Sequence, residues 1–263
     1  MHSVPELAST ARRMVVETSA KTGSPHLSSS LSCVDILASL KFHGASSDID
    51  RREIYLSKGH AALGLYAVLV TAGQIPPSAL DDYCEDGSIY EGHVNSKIHG
   101  IPLSTGSLGH ALPFAVGRAI GESVGSLELI HWVVLSDGEL DEGSNWEGLL
   151  IASHNRLSQL NIIVDRNGLQ SLASTEETSA LEPLGAKLEA FGWKVIHSPG
   201  HNHAALGEAI ASAEKFAGPC AIIAETTKGY GVKDVENNPV LFHYKPATSQ
   251  HVRDISNSGF EGR

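Results

Sequence analysis

Apolar positions along this chain alternate between a helical spacing and short continuous runs suited to buried strands. Between Pro5 and Thr22, the residues Leu7, Ala11, Met14, Val15 and Thr18 share one helical face and Gly23 closes the segment, which predicts a first helix. The small residues Gly23 to Ser30 read as a loop carrying His26, after which Ser32 is expected to cap a second helix holding Val34, Ile36, Leu37 and Leu40. A short extended piece, Glu53-Ile54-Tyr55-Leu56, leads through Ser57-Lys58-Gly59-His60 into an Ala/Leu-rich helix ending near Gly73, so His60 falls at a helix start. Pro76 to Asp86 reads as another helix, and Gly87 to Pro102 as an irregular loop with His93 and His99. Ser104 to Gly109 then opens a Gly/Ala-rich helix through Gly117 and Gly121.

The second half is more regular. Leu129 to Leu135 and Asn161 to Asp165 are apolar, β-branched runs, and each stops at a polar turn containing Gly, which suggests buried parallel strands. Ser144-Asn145-Trp146-Glu147 has the capping-box pattern of a helix between them. Beyond Asn167 follow a polar loop, a helix from about Leu181 to Phe191, a strand Trp193 to His197, a helix from about His203 to Phe216 and a strand Cys220 to Thr226. This alternation predicts a doubly wound α/β fold with a mostly parallel sheet in one domain, residues 1–245. Residues 246–263 are polar without periodicity, and are expected to be a loose tail or a segment ordered by a partner.

Open parallel sheets bind ligands at the carboxyl ends of their strands, which is where Asp137 and Asn167 stand, thirty positions apart. Taken singly, Asp137 reads as a helix cap and Asn167-Gly168 as a tight turn. Taken together, an aspartate, an asparagine amide oxygen and a backbone carbonyl suit Mg2+ or another divalent cation, which takes hard oxygen ligands and leaves positions for phosphates. The pair therefore reads as a cation and diphosphate site.

Charge sharpens this. A net charge of −11 argues against nucleic acid or an anionic membrane as the main partner, so any anionic ligand must meet a locally positive site. Cys33, Cys84 and Cys220 are odd in number and widely spaced, as expected of thiols in a reducing compartment. Residues 1–13 lack the apolar core of a secretion signal, and no run is long enough to cross a bilayer, so the expectation is a cytoplasmic protein.

With Ser136-Asp137-Gly138 and Asn167 in view, the sequence resembles the N-terminal half of transketolase, a thiamine-diphosphate enzyme, and specifically the N-terminal subunit of a split transketolase. The resemblance runs from about residue 5 to residue 245 and also covers Gly23-Ser24-Pro25-His26, Ser57 to His60, Gly92-His93, Ser104 to His110 and Lys228-Gly229-Tyr230-Gly231. It implies that Asp137, Asn167 and the carbonyl of Leu169 hold magnesium, that Gly138 and Asn167 meet the diphosphate, and that His60 and His243 flank the cofactor. Gly106, Ser107 and Leu108 would touch the aminopyrimidine ring, and Glu142 would face its counterpart across an interface. His26, His93 and His243 would face the sugar, with His26, His60, His93, His243 and Glu142 forming the catalytic set. Thiamine supplies an ylid for a ketose carbonyl, and imidazoles suit the surrounding proton transfers. For His131, His154, His197, His201 and His203 a surface or packing role is expected.

Three positions depart from the family pattern: Ser136 stands for Gly, Val94-Asn95 for Pro-Glu, and Tyr244 for Gly, the last two at the expected sugar pocket. The resemblance also implies what lies elsewhere. The glutamate that protonates the pyrimidine and the arginines that grip a sugar phosphate belong to a pyrimidine-binding half, so a C-terminal partner subunit is expected, in a heterotetramer with the Gly106–Gly121 segment and the helix after Glu142 at interfaces. Two alternatives stay open: a component of a 2-oxo acid dehydrogenase or deoxyxylulose-phosphate synthase, and a non-catalytic scaffold of the same fold.

Overall fold

In the computed structural model, which describes residues 3–44, 51–122 and 129–257, five strands form one wholly parallel sheet. They are β1 (Arg52–Leu56), β2 (Ile130–Ser136), β3 (Leu160–Arg166), β4 (Lys194–Pro199) and β5 (Cys220–Glu225), in the spatial order β1-β2-β3-β5-β4. The register places Val134 beside Ile163, Ile163 beside Ile222 and Ile222 beside Ile196, a band of branched side chains through the sheet centre. Because successive side chains point to opposite faces, Trp132 and Val134 join one apolar cluster while Val133 and Leu135 join another.

Helices cover both faces, as a doubly wound sheet requires. On one side lie α1 (Val4–Thr22), α2 (Leu27–Phe42) and α3 (Ala62–Thr71). Across the sheet pack α4 (Ala111–Glu122), α5 (Gly143–His154) and α6 (Leu184–Ala190). The first layer is completed by α7 (His203–Glu214) and α8 (Ser249–Asn257).

Four local expectations change. The second helix starts at Leu27, not near Ser32, so Ser28, Ser29 and Ser30 are buried inside it and His26 becomes its N-cap, with φ 64°. Serines look loop-forming by propensity, but here their small size permits close packing: a Cβ at Gly64 of α3 would lie 3.0 Å from the Ser30 carbonyl. Between Pro76 and Asp86 only Ser78–Asp81 is helical, since the Cys84 N–H turns to the Tyr90 carbonyl at 2.9 Å and Cys84 itself has φ 60°. Ser144 does not cap α5, whose N-cap is Glu142; its hydroxyl donates to the Gly109 carbonyl at 2.7 Å.

The tail also differs from expectation. Ser249–Asn257 is helical and rests on α1 of its own chain, with His251 and Ile255 buried. The His251 ring lies 2.9 Å from the Asp234 carboxylate and edge-on to Phe242, so a segment polar in sequence still buries one amphipathic face. Residues 258–263 lie outside the described residues. Replacing Ile255 by Ala should cost about 2 kcal/mol of unfolding free energy, a large-to-small loss at a buried site. Denaturant unfolding reads this directly, and an unchanged midpoint would return the segment to a loose tail.

Candidate functional site

Where β2 and β3 end, their carboxyl-terminal residues are tied together. The fully buried Asp137 carboxylate accepts the Gly138 N–H at 2.8 Å through one oxygen. Its other oxygen accepts the Gly168 N–H at 2.6 Å and an Arg166 N–H at 3.0 Å. Asn167 turns its amide oxygen to the Leu169 N–H at 3.1 Å. These turns form one wall of a cavity of about 270 Å³.

The opposite wall is built from glycine contacts and a buried carboxylate. Thr105 donates to the Leu56 carbonyl at 2.7 Å, and a Cβ on Gly59 would lie 2.6 Å from the Thr105 carbonyl, so only glycine lets the 105–108 strip approach His60 this closely. Glu139, fully buried, accepts the Gly109 N–H at 2.9 Å, the Ser136 N–H at 3.3 Å and the Ser57 hydroxyl, joining three segments beside the cavity. Ser136 is not among the positive-φ residues, so a side chain in place of Gly strains nothing there.

Two lysines line the cavity although they are among the most buried polar residues of the chain. Lys58 donates to Asp165, which also accepts the Ser32 and Thr226 hydroxyls. Burial alone would raise the Asp165 carboxyl, but the Lys58 charge and these hydrogen bonds outweigh it and hold it below its ordinary value. Lys228 donates to the carbonyls of Leu169 at 3.3 Å and Gln170 at 3.1 Å. Burial, then the Lys58 charge, lowers it to about 8, so it stays mostly protonated at neutral pH. Both lysines fall inside the family-like motifs, yet motif order gives neither a role; the signal was the need for local positive charge in a strongly acidic chain.

Four histidines cluster at the mouth. His26 has ring centroids 5.3 Å from His60, 5.8 Å from His93 and 5.1 Å from His243. The Ser29 hydroxyl lies 3.2 Å from His243 Nδ1, and the His243 carbonyl accepts the His26 N–H at 3.0 Å. Burial leads in pushing His26 down to about 4 and His243 to about 3, with Lys228 and neighbouring rings adding to it, and likewise holds His60 well below its ordinary value. These rings are therefore neutral at pH 7 and able to accept as well as donate a hydrogen bond.

A family model described as transketolase, thiamine diphosphate binding domain, matches residues 4–261. The chain belongs to the transketolase family. It is 38% identical over 242 residues to one of the two apulose-4-phosphate transketolase subunits of Actinobacillus succinogenes, covering 89% of this chain and 88% of that one. It is 35% identical over 232 residues to a 6-deoxy-6-sulfo-D-fructose transketolase subunit of Clostridium sp., covering 85% and 84%. Its fold superposes on transketolase from Campylobacter jejuni with a TM-score of 0.87 at 25% identity, over 97% of this chain but 43% of that one. The chain thus spans most of the subunit relatives and under half of that transketolase.

Against the residues expected for a transketolase site, His26, His60, His243, Gly106, Leu108, Gly138, Asn167 and Leu169 line the cavity. Asp137 lies beneath it, buried, and His93 stands at its edge, 3.3 Å from where a Gly106 Cβ would be. Ser107 and Glu142 are exposed outside it. Val94 and Asn95 do not line the pocket as expected: both are buried, Val94 within the apolar core. Tyr244 is exposed with its ring edge-on to His243 at 5.0 Å. The donor set fits a divalent cation. Burial, then the Asp165 charge, lifts the Asp137 carboxyl above its ordinary value, so this carboxylate is short of positive charge, while the Leu169 carbonyl already attracts an ammonium.

Because His26, His60 and His243 resist protonation when folded, the unfolded chain binds more protons below the ordinary histidine value of 6.5. Their contribution to stability is complete above that value and is lost as pH falls toward about 4. The thermal midpoint should therefore drop across this window, and His26→Asn, which tolerates the same left-handed backbone, should flatten the drop. An identical slope in the variant would show that His26 titrates alike in both states.

Proposed function

We propose that this chain is the diphosphate-binding subunit of a two-chain transketolase, which moves a two-carbon ketol unit from a ketose, read as phosphorylated, to an aldose. The observation that carries this reading is the meeting of Asp137, Asn167 and Leu169 with Lys58 and Lys228 at one set of strand ends. Asp137, Asn167 and the Leu169 carbonyl would hold Mg2+, and the two lysines with Gly138 and Asn167 would meet the diphosphate. His60 and His243 would flank the cofactor, and the backbone of Gly106, Ser107 and Leu108 would contact its pyrimidine ring. Thiamine diphosphate supplies, when bound, the carbon nucleophile that takes up the two-carbon unit.

The protein's own contribution is placement and proton handling. Neutral imidazoles at His26, His60, His93 and His243 would accept or donate at sugar hydroxyls without adding charge to the pocket. A pyrimidine-binding C-terminal subunit would complete the site and bring Glu142 to an interface, in a heterotetramer of two chains of each kind. Exposed Phe114 on α4, with Leu150 and Ile151 on α5, supports such a covering partner, since apolar residues grouped on adjacent helices favour burial. Three free cysteines, and the absence of a helix long and apolar enough to cross a membrane among the described residues, accord with a cytoplasmic protein facing neither nucleic acid nor lipid.

Co-purification with a pyrimidine-binding partner should yield ketol transfer from a ketose phosphate such as xylulose 5-phosphate, and none from pyruvate. Asn167→Ala should weaken thiamine diphosphate binding in magnesium by about 10- to 100-fold, as loss of a metal-supporting group does. Full activity of the purified chain alone would overturn the two-chain reading, and turnover of pyruvate would move it to the 2-oxo acid enzymes.

A further inference from the structure

Outside the cavity, a second buried carboxylate organises the loop that carries Lys228. Asp35 of α2 is 1% exposed and accepts an Arg12 N–H at 2.5 Å and the His201 Nδ1–H at 2.7 Å, with His203 Nε2 3.1 Å away. His201 follows β4, and its other ring nitrogen, Nε2, accepts the backbone N–H of Thr227 at 2.8 Å. An Nε2 that accepts carries no proton, so the proton resides on Nδ1 and is directed at Asp35: the carboxylate sets the tautomer that Thr227 needs. The same imidazole stacks on Tyr230, with centroids 3.5 Å apart and planes 12° from parallel, and Arg12 donates to the Tyr230 carbonyl at 3.1 Å. Thr227 and Tyr230 are therefore both fixed from Asp35, and Lys228 lies between them.

We propose that His201 is a positioning residue for Lys228. Oriented by Asp35, it holds the Thr227 amide so that the Lys228 ammonium projects to the strand-end wall, where it reaches the carbonyls of Leu169 and Gln170. A lysine acts on phosphate as a point charge at the end of a flexible stem, so its effect depends on where the backbone launches it. The inference rests on the diphosphate reading of the cavity.

A double-mutant cycle on the full chain tests it, with calorimetric binding of inorganic pyrophosphate in excess magnesium as the readout. His201→Asn keeps a donor for Asp35 but cannot reach the Thr227 amide, and should weaken pyrophosphate about tenfold, the scale of one lost hydrogen bond. In a Lys228→Met background the same exchange should add nothing, and His201→Gln, whose longer amide offers an acceptor near the Nε2 position, should recover most of the affinity. Additive losses, or equal losses in the Asn and Gln variants, would reduce His201 to a packing residue and overturn the proposal. Failure of the unmodified chain to bind pyrophosphate at all would instead remove the cavity reading, and this inference with it.

Discussion

The Asp165 carboxylate at the end of β3 is the interaction on which the strand-end architecture depends. It is fully buried, and an ionised carboxylate in that position is tolerable only with close positive charge and saturated hydrogen bonds. Lys58 beyond β1, Ser32 of α2 and Thr226 beyond β5 supply both. Three elements far apart in the chain thus converge on one pair of oxygens. Lys58 is thereby held at the cavity, and Asn167 begins only two residues after the knot.

The helix α2 distributes this constraint. Ser28, Ser32 and Asp35 recur at helical spacing along a buried face, with Ser29 beside them. The Ser28 carbonyl receives the Gly229 N–H at 3.0 Å, Ser29 meets His243, Ser32 meets Asp165, and Asp35 gathers Arg12 and His201. A helix interior normally disfavours such residues, because their side chains compete for backbone partners. Here those side chains find tertiary partners instead, and one rigid element aligns a histidine, a lysine loop and a strand end.

Electrostatics explains how an acidic chain can receive a phosphorylated ligand. The negative charge of the molecule is opposed locally by Lys58 and Lys228, while the clustered histidines stay neutral because burial and the nearby ammonium groups both disfavour protonation. Positive charge is confined to the diphosphate end, and the sugar side remains uncharged but rich in hydrogen-bonding groups. Asp137, short of compensating charge, completes the division by offering a place for a cation.

Much of this was readable from residue order alone. Branched runs closed by glycine turns mark β2, β3 and β5, and place Asp137 and Asn167 at strand ends, because burial on both faces leaves a continuous apolar signature. Motif order identified the family and the cavity-lining histidines at 26, 60 and 243. Local pattern could not reveal that Ser28 to Ser30 are helical, that Ser249–Asn257 docks on α1, or that Val94 and Asn95 turn into the core, since each depends on a surface supplied from elsewhere in the chain. Nor could it separate His201 from the other histidines given a packing role, because its partners Asp35 and Thr227 come from opposite ends of the sequence. Sequence determined which elements form and which groups end them, through short-range periodicity and turn chemistry; only the tertiary structure decided which buried charges find each other, because that pairing is set by the closing of the sheet and its helices.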